Sequence, residues 1–171
     1  MMARQVQTPA LRPFLPADAP VLAEIFQASV EELTGEDYSE AQQAAWASLA
    51  DDVEAFGGRL ADGLTLVATI GGSTVGFGSL KGSEHIDLLY VHPAAAGHGV
   101  GKLLADALEK LAAARGAKRL TADVSDTARA FFEKRGYEAQ RRNTVSVGDE
   151  WLGNTTMEKS FGPAEAKRLP S

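Results

Sequence analysis

Three glycines at alternate positions, Gly97, Gly99 and Gly101, follow an apolar run ending in Leu89-Tyr90-Val91 and sit where a helical pattern opens at Val100. Glycines so placed let the backbone curl with its N–H groups turned inward, and a helix start adds unpaired donors and the positive end of its dipole. The chemistry such a turn offers is the binding of a diphosphate. Two common phosphate loops are excluded. A P-loop of the form G-x-x-x-x-G-K-(S/T) needs glycine at 96 and Ser or Thr at 103, where the chain has Ala96 and Leu103. A dinucleotide fingerprint needs G-x-G-x-x-G near the start of an alternating β/α series, whereas the spacing here is G-x-G-x-G and a hairpin precedes it.

The elements that hold this turn are legible on both sides of it. Ile86–Val91 reads as a nearly continuous apolar strand around one acid, Asp87, and Pro93 ends it by removing a backbone donor. Val100, Leu103, Leu104, Ala107, Leu108 and Leu111 fall on one face of a helix predicted over 99–115 and closed at Gly116. Arg119–Val124 is the next strand, so the run over 85–124 is a right-handed crossover joining two parallel strands.

Upstream, Val21, Leu22, Ile25, Phe26 and Val30 recur at helical spacing over 17–33; Ser39 with Gln42 resembles a capping box opening a second helix through Trp46; 51–60 supports a third. Two strands meeting at Gly71-Gly72 make a hairpin. Downstream, a helix over 127–135 stops at Gly136, and strands near 137–147 and 150–160 turn at Gly148-Asp149. The class is α+β: a mixed, mostly antiparallel twisted sheet with a central parallel strand pair and flanking helices. One domain is expected over 1–161, with 162–171 a loose tail lacking periodicity.

The composition narrows the function classes. Of 171 residues, 44% are apolar and 23% charged, which is ordinary globular usage. There is no cysteine, which removes disulfides, thiolate metal sites and a cysteine nucleophile. The net charge of −6 works against a nucleic-acid partner. No apolar run has the length of a signal peptide core or membrane span, so a cytoplasmic protein with no membrane partner is expected. The edge strands of a mixed sheet are natural surfaces for a homodimer.

Leu89, Val91, Pro93, Gly97, Gly99, Val100 and Gly101 match the pattern L-x-V-x-P-x-x-(Q/R)-G-x-G-(I/V)-G, and on these residues the chain resembles the GNAT superfamily of acetyl-coenzyme A-dependent N-acetyltransferases. The stretch from Ala128 through Phe131-Phe132 to Gly136-Tyr137 resembles the second motif of that family. The resemblance implies a GNAT-like fold, acetyl-CoA as co-substrate with no metal, and transfer to an amine of a small molecule or peptide by direct attack. It further implies that Leu89, Tyr90 and Val91 run beside the pantetheine arm, the last bonding it through its backbone. Amides of Gly97, His98, Gly99, Val100, Gly101 and Lys102 would hold the diphosphate, and Ser125, Ala128 and Phe132 would flank the thiol end. Two departures stand out: Ala96 replaces the usual Gln or Arg, and Phe132 occupies the place where many members carry a proton-donating Tyr. Tyr137 or water would have to replace that proton donor.

His85 and Asp87 alternate along the strand beside the expected cofactor, so they point to one side, and either fits the family's general base; an imidazole ordinarily titrates near pH ~6.5. Each also fits a bland role, His85 as a solvated strand entrance and Asp87 as a paired polar group. His85-x-Asp87 with a later histidine has the composition of a two-His, one-carboxylate metal triad, but His92 and His98 follow too closely along the chain. For the acceptor, the resemblance points to Tyr38, Trp46, Arg142, Asn143, Trp151 and Asn154, although Trp46 also fits a core position. A non-catalytic acyl-CoA-binding sensor is the alternative function, and an acyl group longer than acetyl stays open.

Overall fold

In a computed structural model of the chain, residues 8–161 are described; the expected loose tail over 162–171 lies outside the described residues. Strand β1 (Ala10–Pro13) leads into helix α1 (Ala19–Leu33) through a 3₁₀ turn at Pro16–Asp18. The turn delays the helix by two residues relative to its periodicity because Asp18 is tied to what precedes it. Its carboxylate accepts from the Leu15 amide (2.8 Å) and pairs with both ends of the Arg12 guanidinium (2.7 and 2.8 Å). The Arg12 hydrogen bond holds the Asp18 carboxyl below its ordinary pKa. Helix α1 then buries Leu22, Ile25, Phe26 and Val30, the face its spacing predicts.

Helices α2 (Glu40–Ala47) and α3 (Val53–Asp62) follow. Their first turns satisfy their own amides. Ser39 Oγ accepts from the Gln42 amide (3.1 Å) while Gln42 Oε1 accepts from the Ser39 amide (2.9 Å), and Asp52 accepts from the Ala55 amide (3.0 Å). The hairpin forms as β2 (Leu64–Ile70) and β3 (Ser73–Lys81) around Gly71-Gly72. Strand β4 (His85–Val91), the crossover helix α4 (Val100–Ala114) and strand β5 (Arg119–Ser125) come next. Helix α5 (Arg129–Lys134) starts two residues later than predicted, because Ser125 Oγ accepts from the Ala128 amide (3.1 Å) in a turn that precedes it. The hairpin β6 (Glu138–Val147) and β7 (Glu150–Ser160) ends the described chain.

The strands form one seven-stranded sheet in the order β1-β2-β3-β4-β5-β7-β6. All neighbours are antiparallel except β4 and β5. Helices α1 to α3 cover one face, where Phe26, Leu60, Val67, Phe77 and Leu88 form a core. Helices α4 and α5 cover the other, around Leu80, Leu108, Leu120 and Met157. Truncating one of these fully buried side chains to Ala costs about 2–5 kcal/mol. Gly76 and Gly78 let α4 lie close to β3: a Cβ at either would meet Val100 Cγ1 or Leu108 Cδ1 at 3.0 Å.

Candidate active site

Between β4 and α4 the backbone makes the turn that the glycine spacing predicts. Gly97 and Gly99 have φ of +82° and +80°, a region that side chains rarely enter, and open space surrounds both. Gly99 is the residue before α4 and no side chain caps the helix there. Of the amides from Gly97 to Lys102, only that of His98 donates to a backbone carbonyl, Ala95 at 3.3 Å. The amides of Gly97 and of Gly99 to Lys102 therefore have no backbone partner among the described residues, five donors at the positive end of α4. Gly101 sits in the first turn of α4 with its bare Cα against Phe131, so α4 and α5 start side by side.

Sequence periodicity does not reveal what happens next to this turn. The parallel pairing of β4 with β5 is confined to His85↔Thr121 and Ile86↔Ala122, after which the two strands part. Against β3, Leu88 pairs with Ser79 and Ile86 with Leu80, so Asp87 is an extra, bulged residue. The bulge breaks the side-chain alternation: Ile86 packs with α4, while Leu88 packs with α1. The opening between the strands is a cleft of about 430 Å³ that reaches from β4 and β5 to α1, α2, α3 and the final hairpin.

His85 and Asp87 both line this cleft, as their spacing predicts, but they are held differently. Asp87 is a bidentate partner of Arg59 on α3, at 2.9 and 3.0 Å. The Thr121 hydroxyl donates to the Glu84 carbonyl (3.1 Å), which leaves its oxygen to accept from His85 Nδ1–H at 2.9 Å. That tautomer puts the lone pair of His85 on Nε2, which has no partner among the described residues. Tyr90 turns its ring toward Phe26 and Phe77, with centroids 4.6 and 5.8 Å away, so only its backbone can run beside a cofactor. Burial pushes its hydroxyl up to about 12 against the opposing effect of a hydrogen bond with Trp46, so it stays protonated at neutral pH.

The other predicted residues divide. Leu89, Ser125, Ala128, Phe132, Tyr38, Trp46 and Asn154 line the cleft with His85, Asp87 and Tyr90. Val91 ends β4, and the segment from Gly97 to Lys102 forms the turn into α4 and its first residues. Tyr137, expected as a substitute proton donor, is not among the residues that line the cleft. Its hydroxyl donates to Glu109 Oε2 (2.9 Å), and burial, then the Glu109 charge, raise its pKa well above the ordinary tyrosine value. Arg142 and Trp151 are also outside the cleft wall. Arg142 pairs with Asp126 (2.5 and 3.0 Å), and the Trp151 side chain is exposed while its carbonyl accepts from Gln42 Nε2 (2.8 Å). Asn143 stands one step back, donating to Asn154 Oδ1 (2.9 Å) and Thr156 Oγ1 (2.8 Å). Tyr38 spends its hydroxyl on the frame: it donates to the Gly153 carbonyl (2.7 Å) and accepts from the Asp126 amide (2.9 Å).

Sequence reasoning missed Arg59, Asp123, Leu33, Leu49 and Val145, all on the cleft wall. Arg59 carried a weak signal, lying beside the inward pair Phe56 and Leu60 on α3. The others carried none, because their roles depend on which distant elements face each other.

A sequence model of the acetyltransferase (GNAT) domain matches residues 34–161. The chain belongs to the GNAT acetyltransferase family. Its enzyme class is thus the acyltransferase class that the glycine motif implied. Among GNAT relatives, the uncharacterized N-acetyltransferase YafP of Escherichia coli (strain K12) is 32% identical over 147 residues, 86% of this chain and 93% of that protein. A crystal structure described as the GCN5-related N-acetyltransferase: Aminotransferase, Class-II from Rhodopseudomonas palustris superposes with a TM-score of 0.89 at 62% identity, covering 92% of this chain and 99% of that one. The GNAT fold is shared more distantly with the PaiA N-acetyltransferase of Thermoplasma acidophilum, solved in complex with coenzyme A. There the TM-score is 0.74 at 21% identity, with 90% of this chain and 99% of that one covered. Among the described residues no helix is long and apolar enough to cross a membrane, and no group of three potential ligands is placed to hold a metal ion.

Proposed function

We propose that this GNAT domain, over residues 1–161, moves an acetyl group from acetyl-CoA to an amine of a small molecule or peptide by direct attack. The observation that carries the reading is the arrangement around β4: its C-terminal end feeds an uncapped helix start with five amides that lack a backbone partner among the described residues, and its parting from β5 opens a cleft beside His85 Nε2. Bound there, acetyl-CoA supplies an acetyl thioester already activated for transfer.

The chain supplies the rest. Amides of Gly97 and of Gly99 to Lys102 hold the diphosphate, and the parted edges of β4 and β5 offer backbone groups to the pantetheine arm. Ala96 adds no side-chain contact, so diphosphate binding rests on the backbone. Phe132 and Ala128 wall the thiol end. His85 Nε2 takes the proton that the amine sheds as its bond to the acetyl carbon forms and the carbon–sulfur bond breaks, the electron pair leaving with sulfur. Asp87 stays paired with Arg59 and shapes the site around His85.

Thiol release from acetyl-CoA, followed across a broad amine panel, tests this. Release that requires an amine and falls in His85→Ala is the expected result. A folded protein that binds acetyl-CoA yet is inactive with every amine would instead support the sensor reading. One observation favours that second reading: Phe132, which has no hydroxyl, lines the cleft where many family members carry a tyrosine, and the Tyr137 hydroxyl is turned to Glu109.

A further inference from the structure

The cleft wall built by the end of α1, the turn after α2 and the β6–β7 hairpin exposes apolar surface that the fold does not need. Leu33, Leu49 and Val145 are 40%, 48% and 38% exposed, although each belongs to a different element. All three converge on the one cleft, where Trp46, Val147 and Leu152 continue the surface. Apolar side chains left open to water around a concave site call for an apolar ligand group.

Charge on the same wall is unbalanced. Arg59, the only guanidinium lining the cleft among the described residues, is spent on Asp87 at 2.9 and 3.0 Å. The remaining carboxylate is Asp123. Its Oδ1 accepts from the Thr156 hydroxyl (2.6 Å), while Oδ2 has no partner among the described residues. Asp123 follows Thr121, the partner of His85, by two positions and so lies on the same face of β5, about 7 Å further along. An ammonium resting on Asp123 is thus next to His85, with an apolar wall beyond it. A carboxylate on the ligand would find Asp123 facing it and, among the described residues of the cleft, no unpaired cation, and a second ammonium would be driven onto the apolar wall.

We infer that the acceptor is a primary amine carrying a single positive charge and an apolar aryl or branched-alkyl body, with no carboxylate of its own. This rests on the acetyl-transfer reading and names its substrate class. The wall fixes the body, and Asp123 receives the ammonium, which gives one proton to water to become the neutral amine that attacks; His85 takes the second proton as the nitrogen–carbon bond forms and the thiolate leaves.

Thiol release from acetyl-CoA should be compared for 2-phenylethylamine, 3-methylbutylamine, ethylamine, L-phenylalanine and spermidine. Binding of the same amines to the protein saturated with desulfo-CoA should be measured in parallel by calorimetry. The expected result is a kcat/KM for 2-phenylethylamine at least ~10-fold above those for ethylamine, L-phenylalanine and spermidine, since each buried apolar group adds to affinity. Leu49→Asn and Asp123→Asn should each raise KM for 2-phenylethylamine ~10-fold while leaving KM for acetyl-CoA unchanged; Asn at 123 can still accept from Thr156. Equal or better use of ethylamine, L-phenylalanine or spermidine overturns the inference and leaves acetyl transfer standing. A preference for octanoyl-CoA over acetyl-CoA that Leu49→Asn removes also overturns the inference, because the wall would then serve the acyl chain. If no amine is acetylated but 2-phenylethylamine still binds and Leu49→Asn weakens it, the ligand class holds and acetyl transfer fails.

Discussion

The start of α4 and the start of α2 are the same kind of structure put to opposite uses. At α2 the Ser39–Gln42 box consumes the first amides internally, and the helix end is a closed, stabilising joint. At α4 the capping position is Gly99, no side chain closes the end, and the amides are left for a ligand. The contrast extends to the whole site. The proposed cofactor end is backbone in one contiguous segment, whereas the proposed acceptor end is a cleft lined by side chains on α1, α2, α3, β4, β5 and the last hairpin. Function carried by backbone depends on local residue spacing; function carried by side chains depends on how distant elements meet.

The largest expected effect falls on the side-chain end. His85→Ala should lower kcat by ~10²–10⁴-fold with the dissociation constant for acetyl-CoA unchanged. A fall of less than about threefold would move the base elsewhere. At the backbone end, Gly99→Val forces a β-branched residue into the left-handed region and should weaken coenzyme binding ~30-fold, with kcat largely kept at saturation. Tyr137→Phe sharpens the division: it should cost about 1–2 kcal/mol of stability through the lost Glu109 hydrogen bond, with kcat within about twofold. A tenfold loss of kcat there would return Tyr137 to the chemistry. The smallest effect is the mirror of Gly99: Ser39→Ala should remove about 1 kcal/mol of stability, read from denaturant unfolding, and leave coenzyme affinity untouched.

The same contrast explains what could be read from sequence. The crossover, the hairpins on either side of it and the turn at Gly97 and Gly99 follow from periods and glycine spacing, which are local properties. Gly76 and Gly78 carried a further local signal, the close approach of α4 to β3. The bulge at Asp87 and the early parting of β4 from β5 were not legible, since both arise from pairing partners remote in the chain. For that reason His85 and Asp87 were found together while the Arg59 pairing that separates their roles was not. The bond of Tyr137 to Glu109 was not legible, because the motif that contains Tyr137 says nothing of which residue of α4 faces it. Arg142 was matched to the acceptor by position alone, and Asp126 claims it.

Calorimetric titration of the protein and of Gly99→Val with acetyl-CoA, with ATP as control, tests most directly the claim that the open start of α4 is the coenzyme site. Micromolar binding of acetyl-CoA by the unaltered protein, none of ATP, and a loss of about 30-fold in Gly99→Val is the result expected. Equal affinity in the two proteins, or no binding of acetyl-CoA in either, would contradict it.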